Sequence, residues 1–466
     1  MKNKNWHLNR RQWTQQVGGI ALSALPLTTC WSAPSVLSQD LLNEIDNPRP
    51  DSRQLAWQNA ELGMFYHFDI PIFKPGWNWR SFRDLPSPAD FNPQALDTDQ
   101  WLEAAQSIGA KYAVLVAKHC SGFLTWQSDL YPYGVKQAKW RDGKGDLVAD
   151  FVASCEKYNI LPGIYASVTA NCYWEVDNPG RVNRGRGNDP KRQAQYVEAQ
   201  EQMLAELWGR YGNLFYIWFD GGALPPSEGG PDLVPLYQRL QPSANVFQGP
   251  SATTRWVGNE RGVADYPCWA TVKQRNASGA GDPDGLVWQP GECDVPIRGG
   301  EWFWREQQTH LVHSIDTLMD MYYRSVGHNC NLLLNANPNT AGRIPDADMQ
   351  RYAEFGREIK RRFDRPLAQI SGQGKTLELT WPQPQRLDHL WIMEDIRYGE
   401  RIRQYRVDAR LSDDKWKSIA SGTAIGHKKI QPFQAVETTT LRLTVDQSTA
   451  TPIIKDFSAF HVGYSK

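Results

Sequence analysis

The sequence has no excess of charge of either sign. Lys and Arg total 51, Asp and Glu total 51, and the formal net charge is +0. A chain that binds nucleic acid carries a basic excess, so composition gives no support to a polyanionic partner. Cysteine is also scarce. After Cys30 come only Cys120, Cys155, Cys172, Cys268, Cys293 and Cys330, with no C-x-x-C among them. That spacing argues against a thiolate metal site, and the ordinary reading of such residues is free buried thiols. No apolar run is long enough to cross a bilayer. No G-x-G-x-x-G follows the first strand-like run, no H-E-x-x-H accompanies the histidines, and no G-x-S-x-G occurs. Dinucleotide folds, zinc peptidases and acyl-transfer hydrolases therefore lack their signatures here.

What is abundant is aromatic. The chain holds 20 Trp and 18 Tyr. Tryptophan is large, apolar and carries one donor, so it suits both cores and the C–H faces of sugars. The first 35 residues read as an export signal. "MKNKNWHLNRRQW" is basic, "VGGIALSALPL" is apolar but short, and Arg10-Arg11 partly match a twin-arginine signal. Cleavage near Ala33 or lipidation at Cys30 are the two outcomes this predicts. Either places the mature chain in the periplasm or outside the cell, with no stable insertion of the mature domain in a membrane.

Between about 60 and 360, apolar runs alternate with amphipathic helical stretches. The runs are 62–69, 111–119, 159–167, 213–222, 244–250 and 329–338, and the helical patterns include 93–109, 190–212 and 305–327. Near-continuous apolar strands separated by helices imply a parallel sheet covered on both faces. Polar groups end many of these strands, which favours a (β/α)8-like barrel with irregular later units over an open sheet. After the charged helix 349–363 the pattern changes to short, partly alternating runs, read as a β-sandwich. The predicted class is thus α/β, with an export signal over 1–35, a catalytic barrel over 36–363 and a C-terminal β-sandwich over 364–466.

The candidate chemistry sits at strand ends. In "LFYIWFDGG" the run closes on Asp220, followed by two glycines that let a ligand approach the backbone. A strand-end aspartate is commonly a helix cap; one cupped by Trp218 and Phe219 can also be a nucleophile. Glu260 lies in "TTRWVGNERGVADY" and Glu292 in "VWQPGECDVPIRGGEWFW". His67 and His119 end the first two runs and would converge in a barrel. His310 and His313 read as ordinary helix residues, and no metal site is expected.

Taken together, "GMFYHFD", "AKHCSGFLTWQSD", "GIYAS", "LFYIWFDGG", "RWVGNERG", "PGECDVPIRGGEWFW" and "NCNLLLNANPNTAGRIP" resemble glycoside hydrolase family 29, the retaining α-L-fucosidases. The resemblance runs from about Leu62 to the C-terminus. It implies Asp220 as nucleophile and Glu260 as acid/base, in the manner of the subgroup acting on α-1,3/4 linkages. It implies fucose contacts from His67, His119, Trp126, Tyr165 and Trp218. An outer pocket would be formed by Glu292, Trp302, Arg255 and Trp256. No cofactor is implied, and the expected partner is a fucosylated oligosaccharide. Mechanistically it implies a double displacement, with an ionised Asp220 and a protonated Glu260, raised by burial or by the neighbouring charge.

Two departures stand out. Cys120-Ser121 replace the His-Asp of the usual His-His-Asp-Gly-Phe, and Phe68-Asp69 replace the usual Trp-Gly. They leave open another 6-deoxy or galacto-configured sugar, or a non-catalytic carbohydrate-binding barrel.

Overall fold

The computed structural model describes residues 47–463, apart from 79–81, 83 and 183–188. The export signal and Cys30 lie outside the described residues. Eight parallel strands form one sheet: β1 (Leu62–Tyr66), β2 (Tyr112–Lys118), β3 (Leu161–Ala166), β4 (Tyr216–Trp218), β5 (Asn245–Phe247), β6 (Arg255–Trp256), β7 (Gly291–Pro296) and β8 (Asn331–Ala336). Their order is β5-β4-β3-β2-β1-β8-β7-β6. A parallel bridge between Phe247 and Thr254 joins the two ends, so the sheet is a nearly closed barrel.

Helix α1 (Ser52–Ala60) precedes β1. Then α2 (Thr98–Ile108), α3 (Leu147–Tyr158), α4 (Pro190–Arg210) and α5 (Leu233–Leu240) follow strands β1 to β4 in turn. No described α-helix follows β5 or β6. Helices α6 (Ile315–Arg324) and α7 (Asp346–Phe363) follow β7 and β8. The irregular later units expected from the sequence are therefore present.

Side-chain caps set the helix starts. Asp97 accepts the Gln100 N–H, so α2 begins at Thr98 and not at Pro93. Ser314 accepts the Thr317 N–H and starts α6 there. The helix expected from 305 is shorter because Arg298 and Val312 form a bridge and His313 N–H donates to Ile297 O. Val312 and His313 are thereby held as extended chain against the end of β7. His310 consequently sits in a 3-10 turn and His313 before the cap, and neither is an α-helical residue.

The barrel interior is aromatic. Phe65, Tyr112, Val114, Tyr165, Tyr216, Trp218, Phe247 and Leu333 form one buried cluster. The alternate residues of the same strands, such as Met64, Leu115 and Ile217, pack in the helix-facing layer. Gly63 is required for close approach, since a Cβ there would lie 2.4 Å from the Tyr112 ring.

Beyond α7 six antiparallel strands form a second sheet: β9 (Ala368–Gln373), β10 (Thr376–Glu394), β11 (Ile402–Arg410), β12 (Trp416–Gly422), β13 (Lys429–Ser448) and β14 (Ile453–Phe460). The runs 375–381 and 387–396, separate by pattern, are one long strand interrupted by register shifts after Thr380 and Leu387. These shifts bend β10 and β13 around a core that includes Leu387, Leu390, Tyr405, Leu441 and Phe457.

The second sheet is tied to the barrel by buried charge. Glu61 accepts from His427 Nε2 at 2.9 Å and Lys428 Nζ at 2.6 Å. Glu400 accepts the Ala270 N–H at 3.0 Å and also a side-chain N–H of Asn329. Burial pushes Glu61 up, but the Lys428 and His427 partners outweigh it and hold the carboxyl at about 2 against an ordinary 4.5. The stability this contributes is present above the ordinary value and is lost as pH falls through 4.5 toward 2. Its ceiling is about 3 kcal/mol, lowered by solvent because a fifth of the Glu61 side chain stays exposed. Glu61→Gln should lower the urea midpoint at pH 7, and its deficit against wild type should shrink as the buffer is taken from pH 5 toward pH 3. A pH-independent deficit would show that the carboxylate charge is not the link.

Candidate active site

Strand parity decides which side chains meet. Residue 65 on β1 and 67 just after it, 165 on β3, 218 on β4 and 220 just after it, 256 on β6, and 292 and 294 on β7 share the inward phase. On β2 a register shift between Val116 and Lys118 changes the phase, so that His119 reaches the cavity. Lys118 instead donates to Ser167 O at 2.7 Å and Ala170 O at 2.6 Å, which holds the loop after β3. A cavity of about 210 Å³ results at the C-terminal ends of the strands. That lies below the roughly 300–1,000 Å³ of sites for drug-sized ligands and suits one small ring.

The floor is aromatic. Trp218 stacks on Phe247 with centroids 4.2 Å apart and on Tyr165 at 5.2 Å. His119 stacks on Tyr165 at 5.7 Å, and Trp302 leans over His67 at 4.9 Å. Burial pushes His67 down to about 3, so its ring is neutral at ordinary pH. Its Nδ1 stands 2.7 Å from the Asn335 carbonyl oxygen, an acceptor. The proton therefore sits on Nδ1 and leaves Nε2 as an acceptor for a hydroxyl. Burial, with His67 and Lys118 adding, holds His119 well below its ordinary value too.

Asp220 is half-buried and accepts from the Tyr165 hydroxyl at 3.0 Å. Its backbone carbonyl accepts from Thr169 Oγ1 at 2.9 Å. Burial raises its pKa, Tyr165 opposes this, and the Glu260 charge raises it further. The two carboxylates are thus near enough to feel each other across the cavity. Glu260 is exposed at the rim and accepts from Trp302 Nε1 at 3.1 Å, so of the two expected surroundings, burial or a neighbouring charge, burial is not there. Gly221 and Gly222 both take left-handed φ, +67° and +80°, which turns the chain away just after Asp220.

Three expected contacts lie elsewhere. Trp126 is in the helix-side core and donates to Glu206 at 2.9 Å. Arg255 has the outward parity of β6 and is spent on the carbonyls of Trp269 and Gly279. Glu292 is wholly buried beneath the floor, not in an outer pocket. It accepts from Trp218 Nε1 at 2.8 Å and the Tyr112 hydroxyl at 3.3 Å, and burial raises it to about 7.

Sequence reasoning missed Asp294. This residue lines the cavity, accepts from Trp256 Nε1 at 2.7 Å, and is pushed well up by burial, then by Glu292 and Glu260. The signal was available, because Glu292 and Asp294 are two apart on one strand and must face the same side. Gln248, which lines the cavity and accepts the Gly221 N–H at 3.2 Å, was also missed.

Among the described residues, one group could place three ligand atoms around a metal. His119, Cys120 and Asp220 offer atoms within 4.8 Å of one another. An ion there would occupy the carboxylate that faces the cavity.

Residues 31–362 match the family model described as alpha-L-fucosidase. A putative alpha-L-fucosidase 1 of Oryza sativa subsp. japonica is 32% identical over 90% of this chain and 86% of its own length. Alpha-L-fucosidase 1 of Arabidopsis thaliana is 30% identical over 87% and 86%. Among solved structures, a putative alpha-L-fucosidase from Bacteroides thetaiotaomicron VPI-5482 superimposes with TM-score 0.84 at 42% identity, covering 89% of this chain and 99% of its own. With the whole barrel matched in sequence and its backbone shared with a 42%-identical structure, the chain belongs to the α-L-fucosidases of glycoside hydrolase family 29, hydrolases that release fucose with retention of configuration.

Proposed function

We propose that Asp220 and Glu260 carry out the double displacement, and that the preferred substrate is fucose in α-1,3 or α-1,4 linkage at a branch. The observation supporting the roles is that strands β4 and β6 bring both carboxylates to one cavity sized for a single sugar ring. Asp220 attacks the anomeric carbon and forms a glycosyl ester as the C–O bond to the leaving group breaks. Glu260 gives its proton to the departing oxygen, then takes one from the water that cleaves the ester. His67 and His119, both neutral, bind hydroxyls, while Trp218, Tyr165 and Phe65 cover the apolar face. The linkage preference is supported by the "RWVGNERG" stretch around Glu260, which matches that subgroup.

We also propose export, supported by the basic stretch with Arg10-Arg11 and the short apolar run after it. Fractionation of the native host should find fucosidase activity outside the cytoplasm, and activity confined to the cytosol would refute this. Lipid labelling of Cys30 separates an anchored from a free form.

Asp220→Ala should remove turnover of every fucoside. Glu260→Ala should spare aryl fucosides with good leaving groups far more than natural glycans, and azide should rescue it as a glycosyl azide. Equal loss on both substrates would reassign the acid/base. Asp294, which faces the cavity, then becomes the candidate in place of Glu292, which does not. Release of fucose from α-1,2-, α-1,3-, α-1,4- and α-1,6-linked glycans tests the linkage directly.

Tyr165→Phe tests the ionisation of Asp220. The hydroxyl favours the carboxylate, so removing it raises the Asp220 pKa. The acid limb of kcat/KM, which requires ionised Asp220, should move to higher pH while the alkaline limb stays in place. An unmoved acid limb would mean that Asp220 does not set it.

A further inference from the structure

Strand alternation ends in the turn after β2, where His119 O accepts the Gly122 N–H at 3.1 Å. Neighbours on a strand face opposite sides, but inside this turn His119 and Cys120 bring ring and sulfur to one place. Asp220 meets them there from the end of β4. A ring nitrogen, the Cys120 Sγ and a carboxylate oxygen all lie within 4.8 Å of one another. Catalysis as described uses His119 and Asp220 but not Cys120. Spacing along the chain does not show this cluster, since Asp220 belongs to a different strand end.

Each donor is anchored and available. The Cys120 carbonyl accepts the Cys172 N–H at 2.8 Å, which ties the turn to the loop after β3. The Ser167 hydroxyl stands beside the Cys120 sulfur, where it favours the thiolate. The Tyr165 hydroxyl steers Asp220 through Oδ2, and among the described residues no donor takes Oδ1. Neither ring nitrogen of His119 has a hydrogen-bond partner among them, and burial keeps the ring neutral. Neutral imidazole is the form that ligates a metal.

Charge favours a cation. Asp294 and Glu260 line the cavity beside Asp220, and its described lining has no lysine or arginine. Lys118 opposes an ion from behind. Its ammonium is turned to the carbonyls of Ser167 and Ala170, and Asp69 offsets its charge.

The donor set selects the ion. Zinc bonds to sulfur at about 2.3 Å and to nitrogen or oxygen at about 2.0 Å, which sets tetrahedral ligand atoms roughly 3.5 Å apart. Small side-chain rotations close the cluster to that spacing. A thiolate, an imidazole and a carboxylate suit Zn²⁺ or Cd²⁺, whereas Mg²⁺ and Ca²⁺ take oxygen. Three protein ligands leave a fourth position on the side of the cavity that His119 and Asp220 line.

We propose that His119, Cys120 and Asp220 form an inhibitory site for a thiophilic divalent cation of the zinc class. Binding releases the Cys120 proton to solvent and engages Asp220, which then does not attack the anomeric carbon. It also takes His119 from the sugar hydroxyls, so ion and fucose exclude each other. The inhibition rests on Asp220 acting as the nucleophile described above; the coordination does not.

Zinc chloride should inhibit hydrolysis of 4-nitrophenyl α-L-fucoside by the full chain competitively, and EDTA should restore the rate. Measured against each variant's own rate, Cys120→Ser should raise the zinc inhibition constant on the order of tenfold or more. Cys120→His, which supplies a nitrogen in place of the sulfur, should keep zinc inhibition. Cadmium chloride should produce a thiolate-to-cadmium absorption band in the ultraviolet, with a part that fucose suppresses and Cys120→Ser lacks. The band reads the wild type directly and holds the test if a variant misfolds. Equal zinc inhibition of wild type and Cys120→Ser overturns the site. So do non-competitive inhibition, full activity in millimolar zinc, or a cadmium band indifferent to fucose. A fucose-sensitive band in the wild type together with turnover by Asp220→Ala would instead strike at the nucleophile and leave the coordination standing.

Discussion

Three indole N–H groups, each held by a carboxylate, set the shape of the sugar cavity. Trp218 donates to Glu292, Trp256 to Asp294 and Trp302 to Glu260. A tryptophan ring can rotate about two bonds, and a hydrogen bond at its nitrogen removes that freedom. The faces of Trp218 and Trp302 are thereby presented to the cavity while their edges are engaged elsewhere. Each pair also spans two structural units, β4 to β7, β6 to β7, and the β7 loop to the β6 loop. The cavity wall and the closure of the barrel are consequently held by the same contacts. Replacing an indole would leave a buried carboxylate without its donor at Glu292 or Asp294, which costs more than the lost contact area.

Those carboxylates are crowded. Asp220, Asp294 and Glu260 line one small cavity whose described lining has no lysine or arginine, and Glu292 lies directly beneath. His67 and His119 bring no compensating charge, since burial keeps both neutral. Burial accordingly raises Asp220, Glu292 and Asp294 together; the Glu260 charge adds at Asp220, and Glu292 and Glu260 add at Asp294. A site of this kind retains protons. What distinguishes Asp220 is its smaller burial, together with the hydroxyl of Tyr165 donated to its Oδ2. Glu292 and Asp294 also have donors, but they are more deeply buried. Asp220 thus combines the least burial of the three with a hydroxyl donor that favours its ionised form.

The barrel, its late irregularity and the bulk of the helices were legible because apolar runs and amphipathic periods are local properties. So was the convergence of His67, His119, Tyr165, Trp218 and Asp220, because strand ends in a barrel all point to one place. The errors came from facts that local pattern does not carry. Arg255 and Trp256 were read together, although adjacent strand residues face opposite sides. Glu292 was placed one layer too high, because depth along a strand depends on register with its neighbours. Trp126 was assigned through resemblance alone, and its indole goes to Glu206 on α4. The start of α6 was misjudged because a tertiary bridge at Val312 overrides helical period. Asp294 shows the reverse case, since alternation from Glu292 alone pointed to it.

The two departures from the family pattern meet in one hydrogen bond. Asp69, where glycine is usual, accepts from Ser121 Oγ at 2.6 Å, where aspartate is usual. In this chain the carboxylate stands in the loop after β1 and the hydroxyl in the loop after β2, and their hydrogen bond ties the two loops. Asp69 also caps the 3-10 turn Ile70–Phe73, and Ser121 Oγ accepts the Phe123 N–H, so both loops are anchored through this pair. These loops carry His67 and His119. The Asp69–Ser121 pair thus anchors the loops that position both histidines. Cys120 is the separate case. It is buried beside His119 and Asp220, and burial raises its thiol to about 12. A neutral thiol is a weak donor and a weak acceptor. Whatever hydroxyl an imidazole would bind at that position loses a strong partner, and recognition on that edge of the ring falls to His119 and Tyr165.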